Sequence, residues 1–306
     1  IPTCSGLRSP AGVEASPWGD VFYTDNQGEW CGASKLSIMK PGDFHGHPHG
    51  IDSCKNEEWS FSVVDNVPNG KLFPEVKEEI PELRMPAVWF PYDKMGRSPA
   101  GMAWDMTEGE FGPFAGQLFV TDQYDASVLR VALEEVNGNW QGACFPFRMG
   151  FQCGAIRCEF GPDNSLLVGM TNRGWGGRGN SPFGLQRLRW TGETPFEIHT
   201  MSAIPGGFRL RFTSKINVDV SAQKTSFKMK SYTYKLHSGY GSPEVDTKDL
   251  NITAVIANED ALGLDIMVDG LRSGYVHELS ADGVSSASGS SLLHKQAYYT
   301  LIEFAD

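Results

Sequence analysis

The stretch Arg8-Ser-Pro-Ala-Gly12 recurs as Arg97-Ser-Pro-Ala-Gly101, and each copy heads a unit with the same grammar. After the first come Val13-Glu-Ala, the turn Pro17-Trp-Gly-Asp20, Val21-Phe-Tyr-Thr24, a polar loop Asp25-Asn-Gln-Gly-Glu-Trp30 and Lys35-Leu-Ser-Ile-Met39. After the second come Met102-Ala-Trp104, Leu118-Phe-Val-Thr121, Asp122-Gln-Tyr-Asp125 and Val128-Leu-Arg-Val-Ala132. A weaker third copy opens at Cys153-Gly-Ala-Ile-Arg157, continues in Leu166-Leu-Val168 and Thr171-Asn-Arg-Gly-Trp175, and closes with Leu185-Gln-Arg-Leu-Arg189. Internal repeats of short strands, each ended by a turn such as Lys40-Pro-Gly or Val136-Asn-Gly, read as β-propeller blades. Val88-Trp-Phe90 fits an outer strand, and Glu75-Val-Lys-Glu-Glu-Ile80 fits a short helix bracketed by Pro74 and Pro81.

Three blades fill residues 1–194, and a propeller ring needs at least four. The expectation is therefore a partial propeller, completed by N-terminal blades that precede Ile1 or by a partner chain. The competing reading hides a fourth blade in residues 43–95. From about Pro195 the glycine-rich loops stop and alternating strands begin, among them Phe208-Arg-Leu-Arg-Phe212, Ile252-Thr-Ala-Val-Ile256 and Tyr298-Tyr-Thr-Leu-Ile302. Residues 195–306 are expected to form an Ig-like β-sandwich. The fold class is all-β: about three blades of propeller, then the sandwich.

Gly 35 and Pro 18 among 306 residues give about 17 %, above the roughly 12 % of average usage, as turn-rich β structure requires. The net charge of −11 argues against nucleic acid, which demands a basic footprint. No run approaches 18 apolar residues, so no membrane-spanning helix is expected. Six cysteines (Cys4, Cys31, Cys54, Cys144, Cys153, Cys158) are compatible with disulfides, and the turn-like Phe145-Pro-Phe-Arg-Met-Gly150 favours Cys144–Cys153. With the sequon Asn251-Ile-Thr253 they point to an extracellular or periplasmic setting.

In a propeller the loops at one end of the blades converge on the axis. Here those loops carry Asp25 and Gln27, Asp122 and Gln123, and Arg173, a mixture suited to a polyhydroxylated ligand or a hard cation. Arg8 and Arg97 stand at equivalent places and suit a carboxylate-bearing cofactor, unless the repeated motif is a structural corner. His45, His47 and His49 in Phe44-His-Gly-His-Pro-His-Gly50 have spacing for a transition metal, or else form a turn between blades.

Gly6-Leu-Arg-Ser-Pro-Ala-Gly12, Ser16-Pro-Trp-Gly-Asp20, Thr24-Asp-Asn-Gln-Gly28 and Lys40-Pro-Gly-Asp-Phe-His-Gly-His-Pro48 resemble the glucose/sorbosone dehydrogenase propellers. Val88-Trp-Phe-Pro-Tyr92, Phe111-Gly-Pro-Phe-Ala-Gly116, Gln141-Gly-Ala-Cys-Phe-Pro-Phe147, Gly184-Leu-Gln-Arg-Leu188, Tyr240-Gly-Ser-Pro-Glu-Val245 and Gly274-Tyr-Val-His-Glu-Leu279 look closer still to large bacterial propellers of the membrane-bound dehydrogenase type. The resemblance implies a six-bladed ring that binds pyrroloquinoline quinone (PQQ) with calcium and oxidises a sugar or polyol. It would set Arg8 against the quinone carboxylates and the backbone of Gly28 and Glu29 on calcium. Ser9 and Ala11 replace the family's Asn and Gln, and the family's histidine base has no counterpart here. Part of a PQQ/calcium-dependent dehydrogenase, a glycan-binding or assembly propeller with a decayed cofactor site, and a metal site at the histidines are the three readings.

Overall fold

Each repeat folds as an antiparallel meander. In the computed structural model, which describes residues 3–55 and 64–306, the first unit contains β1 (Pro10–Ala15), β2 (Val21–Asp25) and β3 (Ser34–Met39). The chain then passes through α1 (Ile51–Cys54), β4 (Lys71–Leu72) and α2 (Phe73–Glu79) before β5 (Val88–Phe90) pairs with β3 as the outer strand. The described part of residues 43–95 therefore builds no further meander. Pro74 sits in the first turn of α2, and the Glu75 carboxylate accepts the Leu72 N–H at 3.0 Å.

The second unit is β6 (Pro99–Trp104), β7 (Leu118–Asp122), β8 (Ser127–Val136) and β9 (Asn139–Met149); the third is β10 (Ala155–Phe160), β11 (Leu166–Thr171) and β12 (Phe183–Leu188). Asn137 and Gly138, with φ of 49° and 78°, make the two-residue turn between β8 and β9. The first strands of the units lie side by side, β1 against β6 and β6 against β10, which is the wedge arrangement of a propeller.

Glycine makes that approach possible. A Cβ on Gly12 would lie 2.1 Å from the Ala100 carbonyl oxygen, and one on Gly101 would lie 2.8 Å from that of Ile156. Thr24 fixes the first contact by donating its hydroxyl to Ala100 O at 2.8 Å. The equivalent place in the third unit holds Arg157, whose guanidinium reaches back to donate to Ala11 O at 3.1 Å. Phe22, Leu36, Trp104, Val120 and Leu129 pack between units one and two, while Phe119, Val128, Phe147, Val168 and Met170 pack between two and three.

The C-terminal strands are β13 (Ile198–Ile204), β14 (Gly207–Phe212), β15 (Lys228–Thr233), β16 (Lys235–Leu236), β17 (Val245–Ala257), β18 (Gly263–Asp269), β19 (Tyr275–Ser280) and β20 (Gln296–Leu301). One layer runs β13-β14-β18-β17 and the other β17-β15-β19-β20, because β17 pairs with β15 up to Leu250 and with β18 from Asn251 onward. Phe208, Leu210, Ile266, Met229, Leu279 and Tyr299 fill the space between them. β20 pairs in turn with β9, so the second unit and the C-terminal strands form one continuous hydrogen-bonded sheet. Arg130, fully buried between the rings of Phe114 and Phe145, ties the same junction by donating to Ile198 O at 2.5 Å and His199 O at 2.7 Å.

One expectation is corrected. Phe145–Gly150 does not form a turn: residues through Met149 belong to β9, with Pro146 beside a register shift, the kind of place in a sheet that tolerates proline. Cys144 and Cys153 lie in different cores, and all six cysteines are unpaired.

Gly12→Ala should lower stability by about 1–3 kcal/mol, because the units must separate to admit the methyl. Gly169→Ala, whose Cβ would have 3.9 Å to its nearest neighbour, should change it by less than about 0.5 kcal/mol. Urea unfolding of the two variants checks the contrast.

Candidate functional site

The loops following β2, β7 and β11 emerge at one end of the units, where the starts of β1, β6 and β10 also lie. Asp25 sits at the end of β2, and its Oδ2 accepts the Arg8 N–H at 3.0 Å while Oδ1 accepts that of Ser9 at 2.9 Å. Asp122, at the end of β7, accepts Ser98 N–H at 2.7 Å and Asp125 N–H at 2.8 Å. Asn172 does the same in the third unit, accepting Gly154 N–H at 3.0 Å. The two aspartates are buried rivets holding the strand starts, and their carboxylates face backbone amides. Burial pushes the Asp122 carboxyl up to about 6 against the pull of those amides.

The arginines ahead of these rivets do reach the mouth. Arg8 donates to the Glu29 carboxylate at 2.8 Å and lies under the ring of Tyr240, 5.4 Å away. Arg97 pairs with Asp93 and stacks on Tyr124 at 4.3 Å and on Tyr92 at 5.1 Å. Burial raises the pKa of the Tyr92 hydroxyl against the opposing field of Arg97, and two residues on Lys94 donates to Glu244 at 2.5 Å, which ties this segment to the loop that carries Tyr240. Arg8, Tyr240, Tyr92, Arg97 and Tyr124 form a row of cationic and aromatic groups. Beyond it the third loop exposes Arg173 and Trp175, and Arg178 pairs with Asp125 at 3.2 Å.

Tyr240 arrives from the C-terminal strands on a loop clamped to the first unit. Trp30 N–H donates to His237 O at 2.8 Å, Gly241 N–H to Gly28 O at 3.0 Å and Ser242 N–H to Gly32 O at 2.8 Å. Gly241, at φ +64°, covers the Gln27 side chain, and Gln27 Nε2 donates to Gly32 O at 3.1 Å. Gln27 is thereby withdrawn from the mouth. Gln123 belongs to the frame through its N–H, which donates to Ser98 O at 2.9 Å.

The three histidines are not brought together. His45 is buried edge-on against Tyr23, 5.0 Å between rings, and burial pushes its pKa well down. His47 and His49 lie with rings 4.7 Å apart, and His47 Nδ1 accepts the His49 N–H. Burial first, then the charges of His49 and Arg8, lower the His47 pKa, against the fields of Asp25 and Glu29. Among the described residues no group of three His, Cys, Asp or Glu side chains is placed to hold a metal.

Calcium on the Gly28 carbonyl would have to displace two N–H donors. The Gly28 carbonyl already accepts two N–H groups, Cys31 at 3.1 Å and Gly241 at 3.0 Å, which uses both its lone pairs. The Glu29 carboxylate serves Arg8. A quinone carboxylate would find Arg8 and Arg97 oriented outward, each with an acid to displace.

No protein-family model matches the chain, and no curated protein matches it. Among solved structures it is similar to an oxidoreductase of Thermus thermophilus described as a glucose dehydrogenase (22% identity, TM-score 0.39, covering 61% of this chain and 46% of that one). It is also similar to the PQQ-bound aldose sugar dehydrogenase of Streptomyces coelicolor (16% identity, TM-score 0.37, 60% and 44%). The chain thus spans less than half the length of either. These likenesses are too distant to assign a residue, and the site is read from its own geometry.

Asp122 yields a pH test. Its carboxyl titrates near 6 folded against 3.8 unfolded, so between those values the folded state binds more protons and stability falls as pH rises. Relative to Asp122→Asn, the natural protein should lose up to ~3 kcal/mol between about pH 4 and 7. Equal slopes in denaturant titrations across that window would remove the assignment.

Proposed function

We propose that this chain is the ligand-binding part of a sugar-dehydrogenase-like propeller, taking a sugar or polyol across the tyrosine and arginine row. The row itself carries the reading. Aromatic faces stack against the C–H side of a sugar ring, while guanidinium and carboxylate groups at their edges exchange hydrogen bonds with its hydroxyls. Both arginines are already aligned by Glu29 and Asp93, which lowers the ordering cost of binding.

Binding without oxidation is the favoured form, since the Gly28 carbonyl is occupied and Asp25 and Asp122 serve the backbone. Quinone-dependent oxidation, implied by the resemblance, is the rival. The reading includes an extracytoplasmic location, supported by the exposed Asn251 of the sequon. It also includes completion of the ring by further sheets. The third unit has three strands where the others have four, and β12 exposes Phe183 (74 %) and Leu185 (70 %).

Titration calorimetry with glucose, sorbitol and gluconate should show binding to at least one, and Tyr124→Ala should weaken it about fivefold or more. No binding by any of the three, or an unchanged affinity in Tyr124→Ala, would overturn the proposal. Dye reduction with added PQQ, calcium and the same sugars should stay at background; turnover would establish the rival.

A further inference from the structure

The register shift in β9 turns a cation onto an aromatic wall. Across the ladder Arg130 faces Phe145, Leu129 faces Pro146 and Val128 faces Arg148, so Phe147 is the extra residue of a bulge. Directly opposed residues share a face of the sheet, and so do residues two apart on one strand. Arg148 therefore lies on the face of Val128, Arg130 and Phe145, although three positions separate it from Phe145. There it joins a pocket of about 170 Å³ between the second unit, the end of β12 and the segment leading to the C-terminal strands. Phe111, Phe114, Phe147, Leu188 and Trp190 supply apolar walls.

Trp190 is 41 % exposed yet fixed. Its indole N–H donates to Glu193 O at 3.0 Å, and its ring lies against Gly112, where an added Cβ would stand 3.5 Å away. A cavity of roughly 150 Å³ admits benzene, so this pocket has room for one aromatic ring. The charges around it are unequally paired. Arg189, also in the lining, has Asp163 at 2.9 Å, whereas Arg148 makes no ion pair among the described residues. Its Nη1 donates to Phe147 O at 2.6 Å, and no protein acceptor meets Nε or Nη2 there. Arg130, stacked on Phe114 at 4.0 Å, likewise donates only to neutral acceptors, on Gln117, Ile198 and His199. Burial pulls the Arg130 guanidinium down to about 9, and the charge of Arg148 works in the same direction against that of Glu197. One acid, the exposed Glu193, also belongs to the lining, so an ammonium ligand is the rival to be separated.

We infer that this pocket binds a small aryl carboxylate, its ring among Phe111, Phe114, Phe147 and Trp190 and its carboxylate on the free donors of Arg148. A guanidinium with two N–H groups unengaged offers the fork that a carboxylate matches. Aromatic walls prefer an aromatic guest, edge to face or offset, over an aliphatic one of equal size. The pocket shares no lining residue with the tyrosine and arginine row, so the two sites stand or fall separately.

Saturation-transfer NMR on the whole chain tests it with phenylacetate, phenethyl alcohol and phenethylamine, which share a ring and differ in charge. Phenylacetate should bind, with the alcohol and the amine each weaker by about fivefold or more. Arg148→Gln should weaken phenylacetate about tenfold and leave the alcohol nearly unchanged. Trp190→Ala should weaken both by about fivefold. Trp18→Ala removes an exposed indole outside the pocket and should change neither, and circular dichroism checks the fold of every variant. Three results would each overturn the inference: no phenylacetate bound up to about 10 mM, the alcohol or the amine bound as tightly as phenylacetate, or an unchanged phenylacetate affinity in Arg148→Gln.

Discussion

The contact between first strands governs this architecture. At Gly12 the neighbouring carbonyl stands where a side chain would begin, so β1 and β6 meet backbone to backbone. The Thr24 hydroxyl bridges the same carbonyl, and Asp25 holds the chain just before β1 by its amides. A repeated Arg-Ser-Pro-Ala-Gly therefore encodes one thing at each of its ends: a glycine that lets sheets converge and an arginine that the convergence carries outward. The rivet fixes where the arginine leaves the backbone. Structure and candidate chemistry thus share a single short motif.

The third unit departs from that rule in a consistent way. Cys153 replaces the arginine and Arg157 replaces the glycine, while Asn172 keeps the rivet. A long side chain at the glycine place prevents another strand from approaching in the same manner, and its guanidinium turns back across Gly101 to the first unit. The arginine row accordingly stops at the second unit. The C-terminal strands then supply what the third unit does not, placing Tyr240 over Arg8 through a loop bonded along residues 28–32.

Most individual strands were legible, because they are short, alternating and bounded by Gly, Pro or Asn-Gly. β9 was not, since Pro146 among phenylalanines reads as a turn until the ladder irregularity beside it is known. Nor was the joining of β20 to β9, a pairing of Tyr298 with Cys144 that no local pattern announces. The mouth was legible in its arginines and in the loop that carries Tyr124. Asp25, Asp122 and Gln27 suggest ligands by their polar type, although an acid repeated at the end of a strand in two copies equally signals a structural bond. Tyr92 and Tyr240 lay inside quoted motifs, but only long-range packing sets them beside Arg97 and Arg8.

The two ends of the units differ in charge logic although the same strands build both. At the mouth, cations sit against aromatic faces and each arginine has an acid, so a ligand must compete with Glu29 and Asp93, although Arg97 Nε is buried with no hydrogen-bond partner. At the far end, Glu14 and Glu159 line one cleft, and the neighbouring Arg157 guanidinium is turned to the carbonyls of Ala11 and Ile156.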